Sequence, residues 1–314
     1  MLDIVIAFFA LGLVAGLVKS DLKVPVAIYD TLAILLMLVL GLKGGMALHG
    51  VLSAALLPEL LAVAALGLLL PLLCYPVLRR LVRLSADDAS SIAAHYGSVS
   101  AGTFAVVVAL AERSGLALAP QTTLYLVMLE LPAIVIMLLW QRHLSGRADG
   151  TRVLWDALTS RGVLLLGGGV LIGYLYGPSG LLPLKPVLID GFKTMLSLYL
   201  LEMGLCTARS VAASSPLRHW RLMLFAALAP FALAWAGIAL ALLLRLPEGS
   251  ALVLAALAAS ASYIAAPAAI RSAIPKADLG LATVAALGIT FPVNVLAGLA
   301  LYQRWVHAVY QGVY

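Results

Sequence analysis

Apolar runs about as long as a membrane is thick follow one another along almost the whole of this 314-residue chain, and no other feature restricts its fold as much. Read between loop signals, they fall near residues 2 to 18, 24 to 42, 51 to 72, 90 to 111, 119 to 140, 162 to 177, 186 to 208, 219 to 244, 250 to 272 and 279 to 303. A helix needs roughly 20 apolar residues to cross a hydrocarbon core of about 30 Å. With no water in that core, each backbone group must find its partner inside the segment, so each run reads as a helix. The sequence therefore predicts an all-α integral membrane protein of ten spans. Composition agrees: 63% of residues are hydrophobic and 11% charged, with a mean hydropathy of +1.09, whereas soluble domains carry about 25% charged residues. The first run has Asp3 where a signal peptide would have basic residues and lacks a small-residue cleavage pattern, so it reads as a span.

The net charge of +6 does not point to nucleic acid, because the basic residues are scattered through short loops and form no stripe interleaved with aromatics. They point to orientation. With the N-terminus outside, the inner loops hold Lys19, Lys23, Arg79, Arg80, Arg83, Arg142, Arg147, Arg152, Arg161, Arg209, Arg218, Arg221, Arg271 and Lys276. The outer ones hold only Lys43, Arg113, Lys185, Arg245 and Arg304. Basic loops stay cytoplasmic, which predicts a multi-pass protein with both termini periplasmic or extracellular. Cys74 and Cys206 sit in apolar runs without C-x-x-C or Cys/His spacing, so no disulfide framework, zinc site or other metal cluster is expected. The sequence has neither H-E-x-x-H nor a G-x-S-x-G with partners. An enzyme is therefore not expected, and no organic cofactor is implied.

The two halves resemble each other. "TLAILLMLVLGL" (31 to 42) aligns with "TMLSLYLLEMGL" (194 to 205) through Thr31/Thr194, Leu35/Leu198 and Gly41/Gly204. "AAHYGSVSAG" (93 to 102) lies over "AASASYIAAP" (258 to 267), and "LELPAIV" (129 to 135) over "ITFPVNV" (289 to 295), with Pro132 over Pro292. The matches keep their order, and five spans per half is an odd number, so the second half enters the membrane from the opposite side. That is the inverted repeat of many secondary transporters: residues 1–140 form a first five-helix repeat, 141–161 a cytoplasmic linker and 162–314 a second repeat.

One stretch breaks the Leu, Ala and Val pattern. "HYGSVSAGTFAVVV" crowds Gly97, Ser98, Ser100, Gly102 and Thr103 into seven positions. Small residues can simply let helices approach closely. The related stretch, however, brings Pro267 to the same depth, and a proline inside a helix removes a backbone bond and frees carbonyls. Unwound backbone at membrane depth survives only where it is buried in protein or lines a cavity. Discontinuous fourth and ninth helices are therefore expected to cross near the midplane. Their half-helix N-termini suit a small anion, and freed carbonyls and hydroxyls suit a hard cation such as Na+. The substrate-binding candidates are Gly97, Ser98, Ser100, Ala101, Gly102 and Thr103 from the first stretch and Ser262, Tyr263 and Ile264 from the second.

These segments carry a family resemblance. "GLKGGMAL" (41 to 48), "GSVSAGT" (97 to 103), "ELPAIV" (130 to 135), "LSLYLLEMGL" (196 to 205), "AASASYIAAPAAIRSAIP" (258 to 275) and "ALGITFPV" (286 to 293) fall in the order of the sodium-dependent bicarbonate transporters of the cyanobacterial type. The resemblance implies ten spans in two inverted repeats, a homotrimer in membrane lipid and elevator-like movement of a core. It further implies cotransport of bicarbonate with Na+ as coupling ion, and a PII-like regulatory protein at the cytoplasmic face. Sodium ligands are then expected among Glu130, Ser100, Thr103, Ser260, Ser262 and Thr290. The chain also departs from the family: where the ninth span would read Ser-Ser-Ser-Asp-Ile-Ser-Gly-Pro, it has Ser260, Ala261, Ser262, Tyr263, Ile264, Ala265, Ala266 and Pro267.

An intramembrane carboxylate is costly, which marks Glu130, two residues before Pro132, as a cation or proton ligand. Glu202 and Glu59 read as packing or span-end residues, His95 as a hydrogen-bonded packing residue, and Lys43 and Lys193 as snorkelling or paired at interfaces. Asn294 is a weaker ligand candidate than Thr290, which occupies the position of Glu130 in the second half. The leading expectation is Na+-coupled uptake of a small anion, most of all bicarbonate. The alternatives are another small carboxylate, H+ coupling through Glu130 or His95, and a regulatory membrane protein that no longer transports.

Overall fold

The computed structural model describes residues 4–50, 53–144, 155, 159, 161–213, 219–263, 266, 267, 270 and 274–313, and its regular structure there is helical throughout. Most of the expected linker, 141–161, together with Arg147, Arg152, Arg218, Ile264, Ala265 and Arg271, lies outside the described residues. The helices are α1 (Ile4–Leu17), α2 (Val26–Leu48), α3 (Leu57–Val77), α4 (Ala86–Gly97), α5 (Ala101–Arg113), α6 (Leu124–Leu144), α7 (Arg161–Gly180), α8 (Phe192–Ala213), α9 (Trp220–Leu243), α10 (Glu248–Ala258) and α11, a continuous run over 279–313.

Their ends follow local chemistry. Ser85 caps α4 by accepting from Asp88 N–H at 3.0 Å, and Asp87 and Asp88 fill the first turn, where the helix dipole favours acid. Asp278 caps α11 through Gly280 and Leu281 N–H. α11 contains two wider turns, Val284–Thr290 and Asn294–Gly298, on either side of Pro292, whose ring cannot donate to the ladder. It also runs ten residues past the expected end at 303. In its last segment Tyr302 and Val306 are buried while Arg304, His307 and Gln311 face outward. That amphipathic pattern carries the helix beyond the apolar run.

Among the described residues, six segments are long and apolar enough to cross a membrane: Val26–Met46, Ala54–Val82, Ala86–Arg113, Pro120–Met137, Trp220–Leu243 and Leu279–Gly312. Ile6–Leu17 and Glu248–Ala258 are apolar but shorter. The protein is a multi-pass helical membrane protein.

Two close crossings tie the halves together. α2 packs along α7 and α1 along α8, and both seams are built from small residues. A side chain on Gly169 would strike the backbone of Leu38 and Gly41, and one on Gly173 the backbone of Leu42, Met46 and Gly45. A side chain on Gly12 would strike the backbone of Leu201, one on Gly16 the Cβ of Ala208, and one on Gly204 the backbone of Phe9, Gly12 and Leu13. Such small-residue seams let membrane helices gain van der Waals contact where lipid offers no hydrophobic drive. α3, α4 and α6 pack with one another, and α9 to α11 do the same, with α5 seated against α10; α3 against α9 and α4 against α11 join the two clusters.

Candidate functional site

The polypeptide leaves helical geometry at the two expected stretches. α4 ends at Gly97, Ser98 and Ser100 are extended (ψ 153° and 115°), and α5 begins at Ala101. α10 ends at Ala258, with Ser260 to Tyr263 non-helical. Each break supplies what the other needs. Ser100 N–H donates to Ser260 Oγ at 2.9 Å, and Ser262 N–H donates to His95 O at 2.7 Å. Ser260 Oγ–H donates to Leu257 O at 2.8 Å, Ser262 Oγ accepts from Ala266 N–H at 3.2 Å, and Ser100 Oγ caps α5 by accepting from Thr103 N–H at 3.0 Å. Asn294 bridges the second break to α11: its amide donates to Ala259 O at 2.8 Å and its oxygen accepts from Tyr302 at 2.7 Å. Backbone groups released by unwinding are thus paired with side chains. Asn294 acts here as a strut, with both ends of its amide in use.

Gly97 and Gly102 have different jobs. A Cβ on Gly97 would meet Pro71 and Ala133, so this glycine lets the end of α4 seat against α3 and α6. A Cβ on Gly102 would collide with Tyr263 Oη and lie near Phe291 and Tyr199. The phenol hydroxyl therefore sits in the first turn of α5, where exposed N–H groups favour an anion or an oxygen. Tyr199 reaches Tyr263 at 3.5 Å and stacks on Tyr29, and Phe291 packs edge-on against the Tyr263 ring.

Beside the phenol, Met37, Val99, Ser100, Ala101, Glu130, Ser262 and Tyr263 enclose a cavity with about 10 Å³ open to the centre of a water molecule. That is room for one water or one bare cation. A second cavity of the same size lies across Ala101 and Met37, between Gly102, Ala33, Leu36 and Tyr199. Glu130 is buried, and its Oε2 has no hydrogen-bond partner in the protein. A buried carboxylate oxygen without a partner is destabilising unless a cation, proton or water meets it. Ser98 and Thr103 hydroxyls and His95 Nε2 are likewise buried without protein partners. His95 uses its Nδ1–H on Ser91 O at 2.7 Å.

Of the sodium candidates, the structure brings Glu130, Ser100 and Ser262 to one cavity. Ser260 adjoins it but is committed to the cross-link described above. Thr290 stands apart: its hydroxyl donates to Ala226 O at 2.7 Å and accepts from Tyr96 at 2.5 Å. Ile264 falls outside the described residues. Met37 and Tyr199 were not singled out from sequence, because a methionine and a tyrosine in apolar helices carry no signal of what they face. Glu202 pairs with Arg209 and accepts from Cys206, while Glu59 accepts from Gln121 and Tyr125. Lys43 pairs with Glu112 at 3.2 Å. Glu59 and Lys43 make these contacts near helix ends, whereas Glu202 lies midway along α8, and its Oε2 is buried without a hydrogen-bond partner.

Broken helices meeting around a buried carboxylate, inside a bundle of apolar helices, belong to the class of membrane transport proteins. The sequence as a whole carries the assignment further. The family model described as the Na+-dependent bicarbonate transporter superfamily matches residues 4–307 of 314, and the chain belongs to that superfamily. It is accordingly a transport protein and not an enzyme. No curated protein matches the chain.

Proposed function

We propose that the protein takes up bicarbonate together with Na+, with the cation held by Glu130, Ser100 and Ser262 and the anion in the first turn of α5. The observation that carries this reading is the cavity of one-ion size into which Glu130 presents a carboxylate beside two serines. Pairing a bound cation with the anion lowers the charge carried through the membrane. The anion has four heavy atoms and does not fit the closed cavity, so Tyr263 must swing off Gly102 when it binds. Because Met37 and Tyr199 belong to α2 and α8, relative movement of these helices past the broken ones would open the site; this is the elevator-like step.

Two inverted repeats, 1–140 and 162–314 about the 141–161 linker, are the architecture we infer. The packing supports it in a specific way. Gly41 meets Gly169 while Gly204 meets Gly12, so residues equated by the repeat make equivalent contacts, with first and second spans exchanged between halves. Ten spans, both termini on the periplasmic side of a bacterial inner membrane, a homotrimer and a PII-like partner at the cytoplasmic face complete the proposal. Labelled bicarbonate uptake into proteoliposomes, with and without an inward Na+ gradient, is the test, and uptake indifferent to Na+ would overturn it. A second reading rests on Tyr263, whose neutral phenol fills the anion position: a different small carboxylate, or H+ on Glu130. It predicts uptake that follows a pH gradient in Na+-free medium. A transport-inactive protein would bind neither ion.

A further inference from the structure

A groove between α3 and α9, distinct from the two cavities at the helix breaks, has a volume of about 810 Å³ and is walled mainly by apolar side chains such as Leu228 and Ala232. Its character changes at one end. There Arg80, Arg83 and Arg221 border it beside Trp220, and a second, polar cavity of about 450 Å³ shares Val82, Arg83, Trp220 and Arg221 with it. Arg83 holds a left-handed backbone conformation (φ +67°) that turns the chain at this mouth. Trp220 is exposed, with the Arg221 guanidinium 5.4 Å from its ring centre, as suits a side chain at the membrane–water boundary. Among the described residues, none of the three arginines is ion-paired. Asp88, the acid facing the polar cavity, already accepts from Ser85 Oγ at 2.7 Å and from Asp278 N–H at 2.8 Å.

An apolar trough opening into a polar chamber, with unneutralised guanidinium groups at the junction, matches one chemistry: a phosphate ester on a hydrocarbon tail. We propose that this groove binds an anionic phospholipid of the surrounding bilayer, with an acyl chain between α3 and α9 and its phosphate on Arg80, Arg83 and Arg221. Guanidinium forks take phosphate oxygens in pairs, and basic pockets between membrane helices are the usual place for such headgroups. The groove flanks α3 and α9, which pack directly on the broken helices, so a lipid seated there would brace the cluster that carries the site.

The test is native mass spectrometry of the full-length protein in mild detergent, titrated with phosphatidylglycerol, with phosphatidylcholine of the same chains, and with glycerol phosphate alone. Phosphatidylglycerol should be retained at least tenfold better than phosphatidylcholine, and glycerol phosphate should neither bind nor compete at matched concentration. Each arginine near the surface is worth about fivefold, so the triple variant R80Q/R83Q/R221Q should lose the preference for phosphatidylglycerol, while R245Q/K185Q, two charges removed elsewhere, should keep it. Ala232→Phe, at an exposed groove position, should lower retention of both lipids with the arginines intact, and it tests the groove independently if the triple variant fails to assemble. Equal retention of the two lipids by the wild type, or retention of phosphatidylglycerol unaffected by Ala232→Phe, would overturn the proposal.

Discussion

The two helix breaks start from similar sequence and end in different chemistry. At the first, Ser98 to Ser100 leave α5 with a serine cap and an open glycine beside it; at the second, Ser260 to Tyr263 put a phenol into that opening. Their neighbours on the following helices differ in the same sense. Thr290, next to the first break through Tyr96, has its hydroxyl bonded on both sides. Glu130, which shares a cavity with residues of both breaks, has a buried oxygen bonded to nothing in the protein. The two positions equated by the inferred repeat are thus specialised differently: Thr290 ties helices together through both sides of its hydroxyl, and Glu130 keeps an oxygen that the protein does not satisfy. On the function proposed above, the protein would have one cation site, at Glu130, where strict symmetry of the inferred repeats would allow two.

The largest expected effect is at the glycine that admits the phenol. Gly102→Val places a branched side chain where Tyr263 Oη lies, and it also stiffens the first turn of α5. Uptake should fall to background in protein that still assembles, as checked by size-exclusion chromatography and transport at equal membrane abundance. Normal uptake by a correctly assembled Gly102→Val protein would remove the anion from this turn.

The comparison between Glu130 and Thr290 is tested next. Glu130→Gln keeps shape and hydrogen bonding but removes the charge, so the Na+ concentration giving half-maximal uptake should rise at least tenfold with little change in thermal stability. Thr290→Val should do the reverse. It strands Ala226 O and leaves the Tyr96 hydroxyl only its long 3.5 Å contact with Ala285 O, costing about 1–3 kcal/mol, and should lower the melting temperature while leaving the Na+ dependence in place. If Thr290→Val shifted the Na+ dependence as much as Glu130→Gln, the specialisation of the two halves would be wrong. Ser260→Ala is expected to rank just below, since it leaves Ser100 N–H without its acceptor and loosens the contact between the breaks by about 1–2 kcal/mol.

The sequence disclosed more of the frame than of the site. Spans announce themselves because a membrane punishes every departure from apolar helix, and the stretches around the breaks, Gly97 to Thr103 and Ser260 to Pro267, announce themselves as exceptions to that rule, although the backbone leaves helical geometry only over the shorter segments Ser98 to Ser100 and Ser260 to Tyr263. What joins those stretches was not legible. The bond from Ser100 to Ser260 spans 160 positions, and no periodicity within either helix encodes it. Thr290 looked like a ligand because its place in the repeat equals that of Glu130; only the positions of Tyr96 and Ala226 reveal that its hydroxyl is already used. In the same way, the glycines of "GSVSAGT" look alike in sequence, and only the packing separates Gly97, which meets Pro71, from Gly102, which meets Tyr263.

The smallest predicted effect lies within the first break and separates its two serines. Ser100 borders the cavity with Glu130 and caps α5, whereas Ser98 is buried with an unpartnered hydroxyl and does not border that cavity. Ser100→Ala should therefore weaken apparent Na+ affinity about fivefold, the equivalent of one hydrogen bond near 1 kcal/mol, and cost a further ~1 kcal/mol of stability through the lost cap. Ser98→Ala deletes a polar atom that nothing in the protein satisfies, so stability should stay level or rise, and Na+ affinity should not move. Uptake measured against Na+ for both variants, alongside thermal melts, decides the matter. A Ser98→Ala protein that loses as much Na+ affinity as Ser100→Ala would place the cation on the other side of Val99, away from Glu130.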